Sequence, residues 1–167
     1  MAINSFKFMS KTLAESLKVW PYVDTKAEPI PWAPLRKRVR ECRVALVSSG
    51  GLYHRDDTPF DMEREKREPL WGDPTLREIP RGIRQDEIRT AHLHYENAHA
   101  RQDYNCMLPV AVLEELYATG EIGGITDHQL SFMGYQPKPL VFMRETAPRM
   151  AERLIEMEAD LVLLSPG

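Results

Sequence analysis

The sequence is poor in the features that announce a specialised class. It has only two cysteines, Cys42 and Cys106, in 167 residues, too few for a disulfide framework, so a reducing, cytoplasmic setting is expected. No apolar run approaches the roughly 18 residues that a membrane span requires, and the lysines within MAINSFKFMSKTLAESLKVW interrupt any secretory core, so no membrane association is expected. No repeat or low-complexity tract is present. Hydrophobic residues make up 43% and charged residues 28%, which excludes a disordered, collagen-like or coiled-coil chain. The length fits one domain with an ordinary core. The net charge is −3 but unevenly spread. Residues 1–43 hold nine Lys/Arg against four Asp/Glu, and the remainder 13 against 21. Basic residues Arg36, Lys37, Arg38, Arg40 and Arg43 lead into the first apolar run. No aromatics interleave them as single-stranded nucleic acid would require, so no nucleic-acid partner is expected.

Phe6, Met9, Leu13, Leu17 and Trp20 recur every three or four residues and predict an amphipathic helix over 5–20, which Pro21 ends. Pro29, Pro31 and Pro34 around Trp32 predict an extended arm, so residues 1–30 read as an appendage to one domain over 31–167. Within it, RVALVS (43–48) is a strand closed by Ser48-Ser49-Gly50-Gly51. Residues 52–89, with Pro59, Pro69, Pro74 and Pro80, read as a long loop, and 86–100 as a short helix or irregular segment. Asn105–Leu108 reads as a buried strand, Val110–Thr119 as a helix capped at Gly120. Ile122–Ile125, Gln129–Met133 and Leu140–Phe142 are strand-like. Thr146 is placed to cap a helix running to Met157, and LVLL (161–164) is a strand of the fully buried kind. The alternation predicts an α/β fold: an open, three-layer, mostly parallel sheet of Rossmann-like or flavodoxin-like kind, with the N-terminal helical arm outside it. In such sheets ligands gather at the carboxyl ends of strands. The first, 105–108 and last strands are expected at the centre, with Ser48, Ser49 and Gly50 meeting Pro166 and Gly167.

His92, His94 and His99 form H-x-H-x4-H, which matches no strong zinc spacing. Site-lining duty and plain packing both remain open for them, and no metal is expected. Thr126, Asp127, His128 and Ser131 follow a strand and are candidates to reach the same cleft. The Ser-Ser-Gly-Gly turn lacks the Lys-Ser/Thr of a P-loop and is expected to bring backbone N–H groups to the site. Asp56, Asp57, Asp61 and Asp73 read as solvated loop charges. Cys106 reads as a small buried hydrophobe and Cys42 as the more exposed thiol.

The blocks PWAPLRKRVRECRVALVSSGGLYHRDDTPFD, GDPTLREIP, HLHYENAHARQDYNCMLPVAVLEEL, GEIGGITDHQLSFMG and ETAPRMAERLIEMEADLVLLSPG resemble, in order and spacing, the selenoprotein B family of glycine, sarcosine, betaine and D-proline reductases, nearest its D-proline-reducing members. The likeness covers residues 31–167. In that family the last strand leads through Thr-Pro-Gly to selenocysteine, with a cysteine two residues on. Here Ser165-Pro166-Gly167 stands where that lead-in would be, so the resemblance implies a catalytic nucleophile immediately after Gly167 and a chain read as terminated at a UGA codon. It further implies reductive C–N cleavage of an amino acid or N-methylated glycine, a pyruvoyl group on a partner subunit, a thiol reductant, no cofactor bound by this chain itself, and homo- or hetero-oligomeric assembly. Such a chain alone would be inactive. The alternative is a non-catalytic α/β binding or regulatory module that kept the fold without its redox centre.

Overall fold

The computed structural model describes residues 9–19, 29 and 31–167. The chain forms two compact units, 1–34 and 35–167. In the first, α1 (Lys11–Lys18) begins at Ser10, whose Oγ accepts the Leu13 N–H, and Lys18 pairs with Glu15 near its end. The expected anchors Phe6 and Trp20, the stop at Pro21, and residues 22–28 and 30 lie outside the described residues.

The second unit is built on β1 (Arg43–Ser48), an apolar strand buried from Val44 onward. Along one edge it pairs in parallel with β7 (Leu161–Ser165), from Val44↔Leu161 to Ser48↔Ser165. Its other edge meets two short strands in succession: β5 (Gly124–Ile125) at Val44↔Ile125 and β6 (His128–Phe132) at Val47↔Leu130, both parallel. Between these two points β1 advances three residues while the other side advances five, so two extra residues bulge out. Gln129 fills the gap. Its Oε1 accepts the Leu46 N–H at 2.6 Å and its Nε2 donates to the Thr126 carbonyl at 2.9 Å, so a buried side chain stands in for missing backbone partners. Beyond β6 lies β3 (Leu76–Pro80), antiparallel.

Residues of β1 alternate between two cores. Val44 and Leu46 join Ile79, Ile125 and Leu161 under Val110 and Leu113 of α4 (Val110–Ala118). On the opposite face Val47, Leu130 and Val162 pack on Met150 and Leu154 of α5 (Ala147–Glu156) and on Met157. Helices on both faces of a mostly parallel sheet make this an α/β fold.

Several expectations are corrected. Residues 52–89 carry β2 (Leu52–His54), α2 (Met62–Arg67) and β3, and β2 pairs antiparallel with β4 (Ile88–Thr90). Prolines and charges at 52–89 hid these elements because β3 buries only Ile79 fully, its extended form coming from pairing with β6. Asn105–Leu108 is no strand. Asp103 accepts from both Asn105 amides and winds Tyr104–Cys106 into a 3-10 turn after α3 (Ala98–Gln102). Leu140–Phe142 is helical, and a π turn over Phe142–Thr146 runs into α5. Thr146 therefore lies inside a continuous helix, its hydroxyl donating to the Pro74 carbonyl instead of capping. The strand over 161–164 exists but is not fully buried: Leu164 is 71% exposed. The cysteines exchange roles. Cys42 is buried, its thiol on the Arg38 carbonyl, and Cys106 is exposed. The basic lead-in is neutralised in part, Lys37 pairing with Asp160 and Arg43 with Asp127 and Glu158.

Candidate functional site

Parallel pairing in full register places the ends of β1 and β7 side by side. The Ser49 N–H donates to the Ser165 carbonyl at 3.1 Å, and the Gly167 N–H donates to Ser49 Oγ at 2.9 Å. A Cβ at residue 167 would fall 2.4 Å from Gly50 Cα, so only glycine permits this approach. Ser48, Ser49, Gly50 and Gly167 thus come together, with Pro166 between Ser165 and Gly167. Ser131, opposite Ser48, points inward, its Oγ accepting the Leu52 N–H.

The turn's amides are used internally. Ser49 N–H goes to Ser165, Gly50 N–H to Ser48 Oγ and Gly51 N–H to the Phe132 carbonyl. None is left over, which corrects the expectation that this turn offers free backbone N–H groups to the site. Gly51 adopts φ +63° against the Ala91 carbonyl, which accommodates the histidine-bearing loop after β4.

That loop closes one side of the strand ends. The Tyr95 hydroxyl donates to the Gly50 carbonyl at 2.6 Å. His92, 6% exposed, lies against the Tyr95 ring at 4.5 Å between centroids. Its Nδ1 accepts the His94 N–H, and burial, helped by nearby His94, lowers its pKa to about 4, so it is neutral at pH 7. His94 is exposed at its rim. Its Nε2 lies 2.7 Å from Glu65 Oε1 and its ring lies 3.8 Å from that of Tyr135. Glu65 is 3% exposed, and its Oε2 has no partner among the described residues. Gly134, next to Tyr135, donates its N–H to the Ser49 carbonyl. Burial and the Glu65 charge push the Tyr135 hydroxyl above its usual range.

Met107 touches Gly50 from the other side, which brings exposed Cys106 to the rim of the site. Tyr95 is raised chiefly by burial, with a smaller contribution from the Cys106 charge. His128 is elsewhere: it opens β6 opposite Pro80, three residues before Ser131 and toward the amino ends of the strands. His99 sits on α3 and is exposed. Asp61 and Asp73 prove architectural. Asp61 caps α2 through the Arg64 N–H, while buried Asp73 holds the Asp61 and Thr75 amides. Among the described residues no three His, Cys, Asp or Glu side chains converge as a metal site, and no helix is long and apolar enough to cross a membrane.

Glu65, Tyr95 and Tyr135 were not singled out from the sequence. Glu65 lies in MEREKR, a helix with no apolar stripe beyond Met62, and nothing in that string marks one of its four charges preceding Arg67 as buried. Tyr95 directly follows His94, which was, within H-x-H-Y.

An α/β domain whose polar loops meet at the carboxyl ends of two parallel strands belongs to the class that binds or transforms small molecules there. The description "Glycine/sarcosine/betaine reductase selenoprotein B" fits residues 13–166, and the chain belongs to that family. The match starts within α1 and so reaches beyond the blocks at 31–167. D-proline reductase subunit gamma of Acetoanaerobium sticklandii is 31% identical over 156 residues, covering 93% of this chain and 61% of that protein. Glycine reductase complex component B subunit gamma of Symbiobacterium thermophilum is 29% identical over 157 residues, covering 92% of this chain and 36% of the relative. The chain therefore spans less than two thirds of these relatives' lengths. No solved structure matches it.

Proposed function

We propose that this chain is part of a reductase complex that cleaves the C–N bond of an amino acid or N-methylated glycine, with electrons from a dithiol in the cytoplasm. In this reading the reacting selenol or thiol directly follows Gly167, and a pyruvoyl group on a partner subunit activates the substrate. The observation that carries it is the fixing of Gly167 against Ser49 and Gly50 at the strand ends. A group attached there would be held to a narrow position, and placement within about 1 Å governs such reactions by as much as about 10²-fold. Names of the relatives, both subunits of reductases, support the same reading. Its site-lining residues are Ser48, Ser49, Gly50, His92, His94, Pro166 and Gly167, with Ser131 supporting the turn.

The test is dithiol-dependent product formation by the protein translated through an in-frame UGA, combined with its pyruvoyl-bearing partner, D-proline being tried first. Ring opening or deamination is the expected result. No turnover with D-proline, glycine, sarcosine or betaine would leave the non-catalytic binding module as the better account.

A further inference from the structure

Within the site one arrangement serves no evident structural end. Glu65 is a carboxylate on α2, almost wholly removed from water, with one oxygen 2.7 Å from His94 Nε2 and the other without a partner among the described residues. Taking a carboxylate out of water is costly unless it is paired and hydrogen-bonded, and a half-satisfied one calls for a functional explanation. Its one partner, His94, is 44% exposed at the side chain. The imidazole is therefore engaged at Nε2 by a buried carboxylate and on one face by Tyr135, yet remains in part accessible to solvent. When Nε2 carries its proton toward Glu65, the lone pair rests on Nδ1, and a proton taken up there yields an imidazolium still held by the carboxylate. This is the arrangement by which a buried acid fixes the tautomer and orientation of a working histidine.

Two independent tethers place that ring beside the strand ends. Tyr95, next in sequence, bonds the Gly50 carbonyl. Tyr135, on which the ring lies, follows Gly134, whose amide bonds the Ser49 carbonyl. Ser49 and Gly50 are the residues that hold Gly167. The other ionisable groups facing the ring are His92, at 5.7 Å between centroids, and Tyr135.

We propose that His94 is the proton-transfer group of this site and that Glu65 is its positioning residue. The inference rests on the reductase reading above. Reductive cleavage of a C–N bond by a dithiol breaks that bond, forms C–H and N–H, and turns the dithiol into a disulfide. The two electrons and two protons both come from the dithiol. The departing nitrogen must gain a proton as it leaves; His94 supplies it from Nδ1 and is recharged by a dithiol proton.

The experiment uses the full-length protein in its complex. His94→Ala is expected to lower kcat by roughly 10²-fold, the lower range for a lost general acid, with KM little changed. Free imidazole should restore part of the loss, because the vacated position opens to solvent. Glu65→Gln should lower kcat less, and the double variant should be no worse than His94→Ala, since groups acting as a unit are not additive. Undiminished kcat in His94→Ala, a loss that imidazole leaves unchanged, or additive losses in the double variant would overturn the assignment. Absence of turnover by the wild-type complex overturns the reductase reading instead. The pair is then judged by ¹⁵N NMR of His94: an Nε2 proton protected from exchange and lost in Glu65→Gln supports it, and a freely exchanging one in the wild type overturns it.

Discussion

His92 shows how one residue's surroundings set a property of the whole chain. It is buried against Tyr95, its backbone carbonyl accepts the Asn97 side-chain amide, and its Nδ1 accepts the His94 N–H. Burial and the acceptor role of Nδ1 suit a neutral ring. With a folded pKa lowered to about 4 against roughly 6.5 when unfolded, the unfolded chain binds the extra proton first on acidification. Stability is therefore complete above about pH 6.5 and declines as pH falls toward 4, by at most on the order of 3 kcal/mol from this residue. His92→Gln should flatten that part of the pH dependence in urea titrations at pH 7 and pH 4.5. An equal fall in both proteins would show that His92 is not its source. The sequence placed His92 and His94 among site candidates because they lie in the block HLHYENAHARQDYNCMLPVAVLEEL that carries the family resemblance. It gave no sign of Glu65, because burial of one carboxylate in a charged helix arises from contacts across 29 residues of chain.

At the scale of elements, legibility follows how much apolar surface each buries by itself. β1 and α4 each bury several of their own apolar residues, and their runs were readable. So was the position of β7, although not its exposure, which depends on its having β1 as its one partner among the described strands. β3 and β4 were unreadable because their extended form is imposed by neighbours. The junction of β5 and β6 belongs here too. Two short strand-like segments were visible, but not that they share one edge of β1 through Gln129. Gln129→Ala removes an acceptor from the Leu46 N–H and a donor from the Thr126 carbonyl, both buried. Each orphaned group costs about 1–3 kcal/mol, so a loss of roughly 3 kcal/mol is expected, measured as a lower urea midpoint. A change below about 1 kcal/mol would mean that water or the backbone replaces the side chain. Gln129→Glu would put a carboxylate at a fully buried position facing the Thr126 carbonyl, and should cost at least as much as Gln129→Ala at pH 7.

At the scale of the molecule, the question is what residues 1–167 can do by themselves. Their two thiols are unequal and apart: Cys42 is buried beneath the Arg38 carbonyl, and Cys106 is exposed on the 3-10 turn next to Met107, which touches Gly50. Proximity of Cys106 to the strand ends makes it the rival nucleophile. Yet it has no second thiol to form the disulfide that completes a dithiol-driven cycle, since Cys42 is the other cysteine and is enclosed. A single attacking thiol would stop after one turnover unless an external thiol resolved it. Because the proposed reading puts the reacting selenol or thiol after Gly167, residues 1–167 alone, mixed with the pyruvoyl-bearing partner, dithiol and D-proline, are expected to give no multiple-turnover product even though the dithiol could resolve a thiol adduct at Cys106. The form extended beyond Gly167 with selenocysteine should turn over, and with cysteine there more slowly. The comparison is made by quantifying product against enzyme concentration over many enzyme equivalents. Sustained turnover by residues 1–167 that disappears in Cys106→Ala would move the chemistry from the position after Gly167 to the rim of the same cleft, and would leave Ser49 and Gly50 as its floor.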